Sequence, residues 1–198
     1  MAIKTFIYSL LNIKNKLMIL LFCGLSGAGK TTLAESVKLR LLDMGMHIEI
    51  IDADEYRERM FRDLMFSKAD RFENIRRLGF IANKFAAHGI ITIVSAINPY
   101  EEVRNELVNS FPNVKVVHID CPLDQLKKRD TKGLYARAAL PEGAPGKIEN
   151  LTGVNDPFER PLAPDVYINT EESTLTECTK CVYSYIISEL KDERKRTA

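Results

Sequence analysis

The chain has little net charge and few cysteines and histidines. Its formal charge is +1 over 198 residues, so no overall field favours nucleic acid as a partner. The sequence contains one C-x-x-C motif, Cys178 to Cys181, whereas a structural zinc site normally needs a second pair of ligands. The three histidines are scattered along the chain and do not supply that pair. We therefore expect Cys178 to pack in the core, and the cysteine usage is typical of a reduced compartment.

A long hydrophobic run is also missing. The apolar residues 17–23 are far too few to span a bilayer, and Lys14 and Lys16 interrupt the apolar stretch before them. No small-residue cleavage site follows, which argues against a secretory signal peptide. We expect residues 1–16 to form an extension, residues 17–23 to form the first strand, and the protein to be cytoplasmic with no membrane partner.

Short apolar runs alternate with amphipathic segments along the rest of the chain. This alternation predicts an α/β domain over 17–191, with a mainly parallel five-stranded sheet, helices on both faces and a charged tail at 192–198. The predicted strands are 17–23, 47–52, 90–96, 115–120 and 165–169. The predicted helices are 30–43, 55–64, 70–88, 100–110, 123–128 and 174–191.

Residues 129–164 break the alternation, because they contain five prolines and four glycines. A long irregular stretch inside a compact domain is usually a lid or a binding loop, or is disordered. The segment follows the fourth predicted strand and has a basic start that includes Lys132 and Arg137. These features favour a basic lid.

The segment GLSGAGKTT, residues 24–32, matches the phosphate-binding P-loop pattern in full, between a predicted strand and a predicted helix. Its glycines let backbone N–H groups point toward phosphates, beside the positive end of the helix. Lys30 can reach the β- and γ-phosphates, and the Thr31 hydroxyl can ligate Mg²⁺. The context favours a P-loop NTPase fold over a glycine-rich turn without a ligand. The predicted nucleotide-binding residues are Gly24, Leu25, Ser26, Gly27, Ala28, Gly29, Lys30, Thr31 and Thr32.

Asp52 and Asp54 follow the second predicted strand, at the sheet edge where ligands bind in open α/β folds. Two carboxylates beside a triphosphate can hold Mg²⁺ through water or accept a proton from an attacking hydroxyl. The same residues suit a helix N-cap with an acidic first turn. Residue types alone leave both interpretations open, and one aspartate could cap while the other acts.

A charged helix is predicted after the cap-like Ser67. Arg71 and Asn74 are three residues apart and therefore share a face, which could grip an anionic substrate that also forms hydrogen bonds. The alternative is a solvated face whose arginines pair with Asp70 or Glu73, and on its own the pattern favours that alternative.

Guanine-reading and switch motifs are missing from the sequence. No N-K-x-D motif occurs, and nothing resembles D-x-x-G after a predicted strand. A kinase or another phosphotransferase is therefore favoured over a nucleotide-dependent switch.

Six motifs, in order over about residues 17–169, resemble those of the adenylyl-sulfate kinase family. They are GLSGAGKTTLA, DADEYR, FSKADRFENIRR, SAINPY, RDTKGLYARA and LTGVNDPFERPLAPD. The third is very specific, because it follows the family pattern F-S-x-x-D-R-x-E-N-I-R-R. The resemblance implies a homodimeric enzyme that uses ATP and Mg²⁺ to phosphorylate the 3′-hydroxyl of adenylyl sulfate in sulfate assimilation.

The resemblance also implies roles by matched position. Asp52 would orient or deprotonate the 3′-hydroxyl near Mg²⁺, with Lys30 as the second catalytic residue. Phe66 would stack on the substrate adenine, and Lys132 would reach in from the lid. The other acceptor-binding residues implied in this way are Asp54, Arg57, Arg71, Asn74, Ile97, Asn98 and Leu151.

Four positions depart from the family pattern. Ala53 replaces a glycine, and Glu55 replaces an asparagine, which adds a negative charge near an anionic substrate unless the side chain points away or pairs with Arg57. Leu151 replaces a phenylalanine that often lies over the adenine. Asn98 stands where many members carry a serine, sometimes described as a phosphoserine intermediate. Because asparagine cannot take that part, we predict direct in-line transfer from ATP.

These departures leave two alternatives. One is a kinase of the same family for another nucleotide, such as cytidine diphosphoramidate in capsule biosynthesis. The other is a non-catalytic scaffold that binds ATP. The retained Phe66, Arg71 and Asn74 favour adenylyl sulfate, and the retained Lys30, Thr31 and Asp52 favour an enzyme.

Overall fold

The computed structural model describes residues 18–197, with side chains as far as residue 191, and is built on a parallel five-stranded sheet. The spatial order is β2-β3-β1-β4-β5, and every neighbouring pair is parallel. The predicted P-loop α/β fold is therefore confirmed, whereas the expected extension at 1–16 lies outside the described residues. The strands are β1 (Ile19–Cys23), β2 (Ile48–Asp52), β3 (Ile91–Ser95), β4 (Val114–Asp120) and β5 (Val166–Asn169).

The helices of the described range cover both faces of this sheet. They are α1 (Lys30–Asp43), α2 (Ala53–Arg59), α3 (Lys68–Ala87), α4 (Glu101–Ser110), α5 (Leu123–Arg129), α6 (Leu134–Ala138) and α7 (Leu175–Thr197). Helix α7 continues past its predicted end at residue 191, and α6 lies inside the stretch that was predicted to be irregular.

Helix α2 ends five residues before its predicted end at residue 64. The chain leaves the helical region at Met60, which has a φ of −122°, and the next residue, Phe61, is buried. The Phe61 ring packs on Tyr56 with ring centroids 5.9 Å apart. Burial of this one aromatic side chain therefore outweighs continuation of the amphipathic pattern.

Strand β1 is buried along its whole length, which explains its unbroken apolar sequence. Leu20 and Phe22 belong to the core on the side of α1 and α7. Ile19 and Leu21 belong to the core on the side of α3 and α4. The two cores fix the sheet between helical layers, so the carboxyl ends of the strands form one edge at which a site can be built.

The C-x-x-C pair lies on α7. Cys178 is buried in the core with Val182 and Ile186, as expected, while Cys181 is exposed and both thiols are free. Within residues 18–191, no three His, Cys, Asp or Glu side chains are grouped so that they could hold a metal ion. A search of the described helices for one long and apolar enough to cross a membrane finds none.

Candidate active site

The P-loop connects β1 to α1, and two of its glycines are required by geometry. A Cβ on Gly24 would lie 2.1 Å from the Ile119 carbonyl oxygen, so only glycine allows β1 and β4 to stay paired there. Gly29 has a φ of 93° and serves as the N-cap of α1. The loop therefore opens directly into the positive end of a helix, which is the arrangement that binds phosphate.

Lys30 lies across the P-loop. Its Nζ donates hydrogen bonds to the carbonyl oxygens of Gly24, at 2.9 Å, and Leu25, at 2.8 Å. Burial lowers the Lys30 pKa to about 8, although the nearby Asp54 carboxylate favours the charged form. The ammonium is thus held beside the loop by these two carbonyl oxygens, and the phosphate of an incoming nucleotide can replace them as its hydrogen-bond acceptor.

The Lys30 pKa predicts that kcat/KM for ATP depends on pH. The charged amine is the form that binds phosphate, so kcat/KM for ATP should fall as pH rises through about 8. The limb in kcat should lie at higher pH, because bound phosphates favour the ammonium. A pH–rate profile from pH 6.5 to 10 measures both limbs. A kcat/KM for ATP that stays flat across this range would contradict the prediction.

Asp52 combines the two interpretations that its sequence context left open. It is the N-cap of α2, because its Oδ1 accepts a hydrogen bond from the Asp54 backbone N–H at 2.9 Å. Its Oδ2 accepts a hydrogen bond from the Thr31 hydroxyl at 2.8 Å, and Ser95 Oγ lies 3.5 Å from the same hydroxyl. Carboxylate and hydroxyl oxygens thus converge beside the P-loop, and this donor set suits Mg²⁺, which takes its remaining ligands from water and phosphates.

Asp54 also lines the cavity and pairs with a residue of segment 129–164. Lys132 Nζ lies 2.5 Å from its carboxylate, and both side chains are largely exposed. Glu55 forms an ion pair with Arg59 at 3.3 Å rather than with Arg57, and it does not line the cavity. The extra carboxylate that departs from the family pattern therefore points away from the substrate region.

Phe66 offers a half-exposed ring at the start of α3. The guanidinium carbons of Arg57 and Arg71 lie 5.0 Å and 5.7 Å from its ring centroid. Arg57 donates to the carbonyl oxygens of Leu64 and Met65, so it supports the loop before Phe66 instead of lining the cavity. An aromatic ring held by two cations is a platform on which a base can stack.

The charged residues of helix α3 lie on different faces, and each of the two interpretations applies to one of those faces. Ser67 and Asp70 form a capping box, as the cap-like serine predicted. Arg77 pairs with Glu73 and Asp63 in the solvated network that the sequence favoured. Arg71, by contrast, is buried and lines the cavity, which a solvated helix face would not explain.

Asn74 and Asn98 are buried and do not line the cavity. The Asn74 Oδ1 atom and both amide atoms of Asn98 lack a hydrogen-bond partner. Asn98 also has a φ of 47°, a left-handed conformation that asparagine tolerates better than most residues. The Asn98 carbonyl oxygen accepts a hydrogen bond from Arg104 at 2.6 Å, so this backbone group is already engaged within the protein.

Arg104 is a buried cation that lies outside every motif of the sequence. Its guanidinium pairs with Glu101 and also donates to the Glu159 carbonyl oxygen at 2.6 Å. The Glu159 backbone N–H in turn donates to the Pro99 carbonyl oxygen at 2.8 Å. Arg104 therefore fastens the end of the 129–164 segment to the loop that carries Ile97 into the cavity.

Replacing Arg104 by methionine should lower the free energy of unfolding by about 3–5 kcal/mol, because the Glu101 carboxylate and two carbonyl oxygens lose a buried donor. Urea denaturation measures the change. Arg76→Met is the matched control, since Arg76 forms a partly exposed ion pair with Glu106, and it should cost at most about 1 kcal/mol. Equal costs for the two variants would contradict the assigned role of Arg104.

The lid segment contacts the P-loop through Tyr135, another residue that sequence reasoning missed. Its hydroxyl donates to the Ser26 carbonyl oxygen at 2.8 Å. Helix α6 is started by Asp130, whose carboxylate accepts hydrogen bonds from the backbone N–H groups of Tyr135 and Ala136. The motif RDTKGLYARA thus folds into a short capped helix that brings the lid against the phosphate-binding loop.

These elements surround a cavity of about 990 Å³. Residues predicted to bind ATP and residues predicted to bind the acceptor line this same cavity, as an enzyme that binds two nucleotides requires. Gly24, Leu25 and Ala28, although predicted, do not line it, and neither do Arg57, Asn74 and Asn98. The predicted residues that do line it are Ser26, Gly27, Gly29, Lys30, Thr31, Thr32, Asp52, Asp54, Phe66, Arg71, Ile97, Lys132 and Leu151.

Comparison with known proteins shows the family to which this chain belongs. The adenylylsulphate kinase family model matches residues 16–169. An adenylyl-sulfate kinase of Chloroflexus aurantiacus is 47% identical over 161 residues, covering 81% of this chain and 84% of the relative. One of Synechococcus sp. is 43% identical, covering 81% and 89%.

A solved structure agrees with the sequence relatives. The Mycobacterium tuberculosis APS kinase CysC, in complex with AMPPNP and APS, is 34% identical to this chain, with a TM-score of 0.80. The match covers 86% of this chain and 98% of that one. The chain described here belongs to the adenylyl-sulfate kinase family.

Proposed function

We propose that this protein transfers the γ-phosphate of ATP to the 3′-hydroxyl of adenylyl sulfate and so makes 3′-phosphoadenylyl sulfate. One observation carries the proposal: P-loop residues that include Lys30 and Thr31 line the same cavity as Asp52, Phe66 and Arg71. Relatives at 41–47% identity are adenylyl-sulfate kinases, and the M. tuberculosis enzyme was solved with AMPPNP, an ATP analogue, and with APS, which is adenylyl sulfate.

On the donor side, the backbone of the P-loop holds the phosphates and Lys30 neutralises charge at the β- and γ-phosphates. Mg²⁺ would be held by the Thr31 hydroxyl and the Asp52 carboxylate, whose oxygens already converge. When bound, the ion supplies positive charge against the triphosphate. Asp52 also orients the acceptor's 3′-hydroxyl and accepts its proton. The hydroxyl oxygen attacks the γ-phosphorus directly and in line, while the bond from that phosphorus to the β,γ-bridging oxygen breaks and ADP leaves.

On the acceptor side, the proposed roles follow the walls of the cavity. Phe66 stacks on the adenine, with the buried Leu151 as an apolar contact, and Arg71 meets the phosphosulfate. Arg57 acts through the Phe66 loop. The remaining proposed contacts from the cavity walls are the Asp54 carboxylate, the Lys132 ammonium and the Ile97 backbone. Asn74 and Asn98 are proposed from the family resemblance alone, because both are buried outside the cavity lining.

The segment 129–164 is proposed to act as the lid. Its Lys132 and Arg137 line the cavity, so closure brings positive charge toward the phosphates. Closure also excludes water, which otherwise competes with the 3′-hydroxyl for the transferred phosphoryl group. We further propose that the enzyme is a homodimer in the cytoplasm. The dimer is a prediction from the family resemblance, whereas the location is a prediction from the sequence.

Acceptor identity is tested by a coupled assay of ADP release. The purified protein is given ATP and Mg²⁺ with adenylyl sulfate, with CMP- or CDP-linked analogues, or with no acceptor. We expect turnover with adenylyl sulfate and none above background in the other arms. Turnover only with a cytidine nucleotide would establish the related-kinase alternative, and ATP binding without turnover on any acceptor would establish the scaffold.

A further inference from the structure

Ser95 ends strand β3 at the edge of the cavity, and none of the roles above uses its side chain. In the parallel register it lies beside Asp52 of β2 and Phe22 of β1. The residue is only 3% exposed, yet it lines the cavity. It therefore places a neutral hydroxyl on β3, which lies between β1, the strand before the P-loop, and β2, the strand that ends at Asp52.

The hydrogen bonds around Ser95 are incomplete. Its Oγ lies 3.5 Å from the Thr31 hydroxyl oxygen, which is long for a bond between two hydroxyl groups. Because the Thr31 hydroxyl donates to Asp52 at 2.8 Å, the Ser95 hydroxyl is the donor in this weak contact. A buried hydroxyl with so long a contact is stabilised when another polar partner arrives.

We propose that Ser95 is a third protein oxygen of the Mg²⁺ site, accepting a hydrogen bond from a water of the ion's hydration shell. The inference rests on the proposed function. Mg²⁺ keeps several waters when proteins bind it, and those waters need acceptors. Once a cation faces the Thr31 oxygen, the Ser95 hydrogen is repelled from it and turns away, which leaves the Ser95 oxygen to accept.

A hydroxyl suits this place better than a carboxylate would. Asp52 already supplies one negative charge to the site, and the bound substrates supply more through phosphate and sulfate groups. Ser95 adds a lone pair without adding charge. A partner of this kind orients the groups that bind the metal, and losing one typically lowers metal affinity 10- to 100-fold.

The test measures the binding of AMPPNP and Mg²⁺ by calorimetry, with no turnover required. Mg²⁺ is titrated into the protein–AMPPNP complex, and AMPPNP is titrated separately in EDTA. For Ser95→Ala we expect Mg²⁺ affinity to fall about 10-fold, with metal-free AMPPNP affinity within about twofold of the unmodified protein. Thr92→Val is the matched control, because Thr92 is a buried hydroxyl residue of β3 whose contacts are with Ala82 and Ile90. It should change neither affinity.

Three other outcomes would overturn the inference. An unchanged Mg²⁺ affinity in Ser95→Ala, with normal Mg²⁺ dependence in the unmodified protein, removes Ser95 from the site and leaves the proposed function standing. An equal loss of AMPPNP affinity with and without Mg²⁺ assigns the hydroxyl to the phosphates or the fold. AMPPNP binding that is insensitive to Mg²⁺ in the unmodified protein overturns both this inference and the metal requirement of the proposed function.

Discussion

Asp52→Asn should lower kcat for phosphoryl transfer by about 10²- to 10⁴-fold, the range typical for loss of a general base, while metal-free AMPPNP affinity, measured in EDTA, stays within about threefold. The substitution removes the charge that accepts the proton of the 3′-hydroxyl. It keeps an oxygen that can accept the Asp54 backbone N–H, now 2.9 Å from Asp52 Oδ1. Because asparagine is as good an N-cap as aspartate, α2 should keep its start.

Two comparison variants separate chemistry from structure at this position. Asp52→Ala removes the cap as well as the carboxylate, so it should also cost about 1 kcal/mol in the free energy of unfolding. Asp124→Asn removes an exposed carboxylate in the first turn of α5, outside the cavity, and should leave kcat unchanged. The measurements are ADP release at saturating substrates and AMPPNP calorimetry. An Asp52→Asn enzyme with unaltered kcat would remove Asp52 from the mechanism.

The sequence predicted the sheet well, because parallel strands that are buried on both faces consist of continuous apolar runs. Strand β1 is the clearest example, since all of its residues are buried. Helix ends were harder to predict. Helix α2 stops where Phe61 turns into the core, and α6 depends on Asp130 capping backbone groups five and six residues away. Both are tertiary or local hydrogen-bonding effects that hydrophobic periodicity does not encode.

The candidate site was predictable where a motif sits in a rigid junction. Gly24 and Gly29 leave little freedom for the P-loop, so its shape follows from the motif. Side chains that cross between elements were less predictable. Arg57 turns back to the Leu64 and Met65 carbonyl oxygens, and Arg104 joins residues more than 50 positions apart. Such contacts depend on the assembled fold, and residue spacing along one helix does not reveal them.

Arg71 is the residue at which the second large effect is expected. Its guanidinium donates to the carbonyl oxygens of Phe66, at 3.0 Å, and Asn150, at 2.7 Å, and lies 3.0 Å from the Asp156 carboxylate. It therefore joins the start of α3 to the far end of the lid segment while lining the cavity. A planar fork with several donors can hold these groups together, whereas an ammonium acts at one point.

Arg71→Lys should lower kcat/KM for adenylyl sulfate by about 10²-fold, because the charge remains but the bidentate geometry is lost. Arg71→Leu should lower it by about 10³-fold and should also cost about 3 kcal/mol in the free energy of unfolding, because the partly buried Asp156 carboxylate and two carbonyl oxygens lose the donor that Arg71 supplies. Steady-state kinetics at saturating ATP, with urea denaturation of the same proteins, measure both effects.

Arg76→Lys is the matched control, since Arg76 lies on the same helix and pairs with Glu106 near the surface. It should leave both kinetic constants and stability nearly unchanged. KM for ATP provides the decisive comparison for Arg71→Lys. An acceptor-binding residue changes the acceptor constants alone. A residue that only holds segment 129–164 in place would disturb both substrates, because Tyr135 of that segment also contacts the P-loop. Equal losses for ATP and adenylyl sulfate would therefore reassign Arg71 from substrate binding to lid placement.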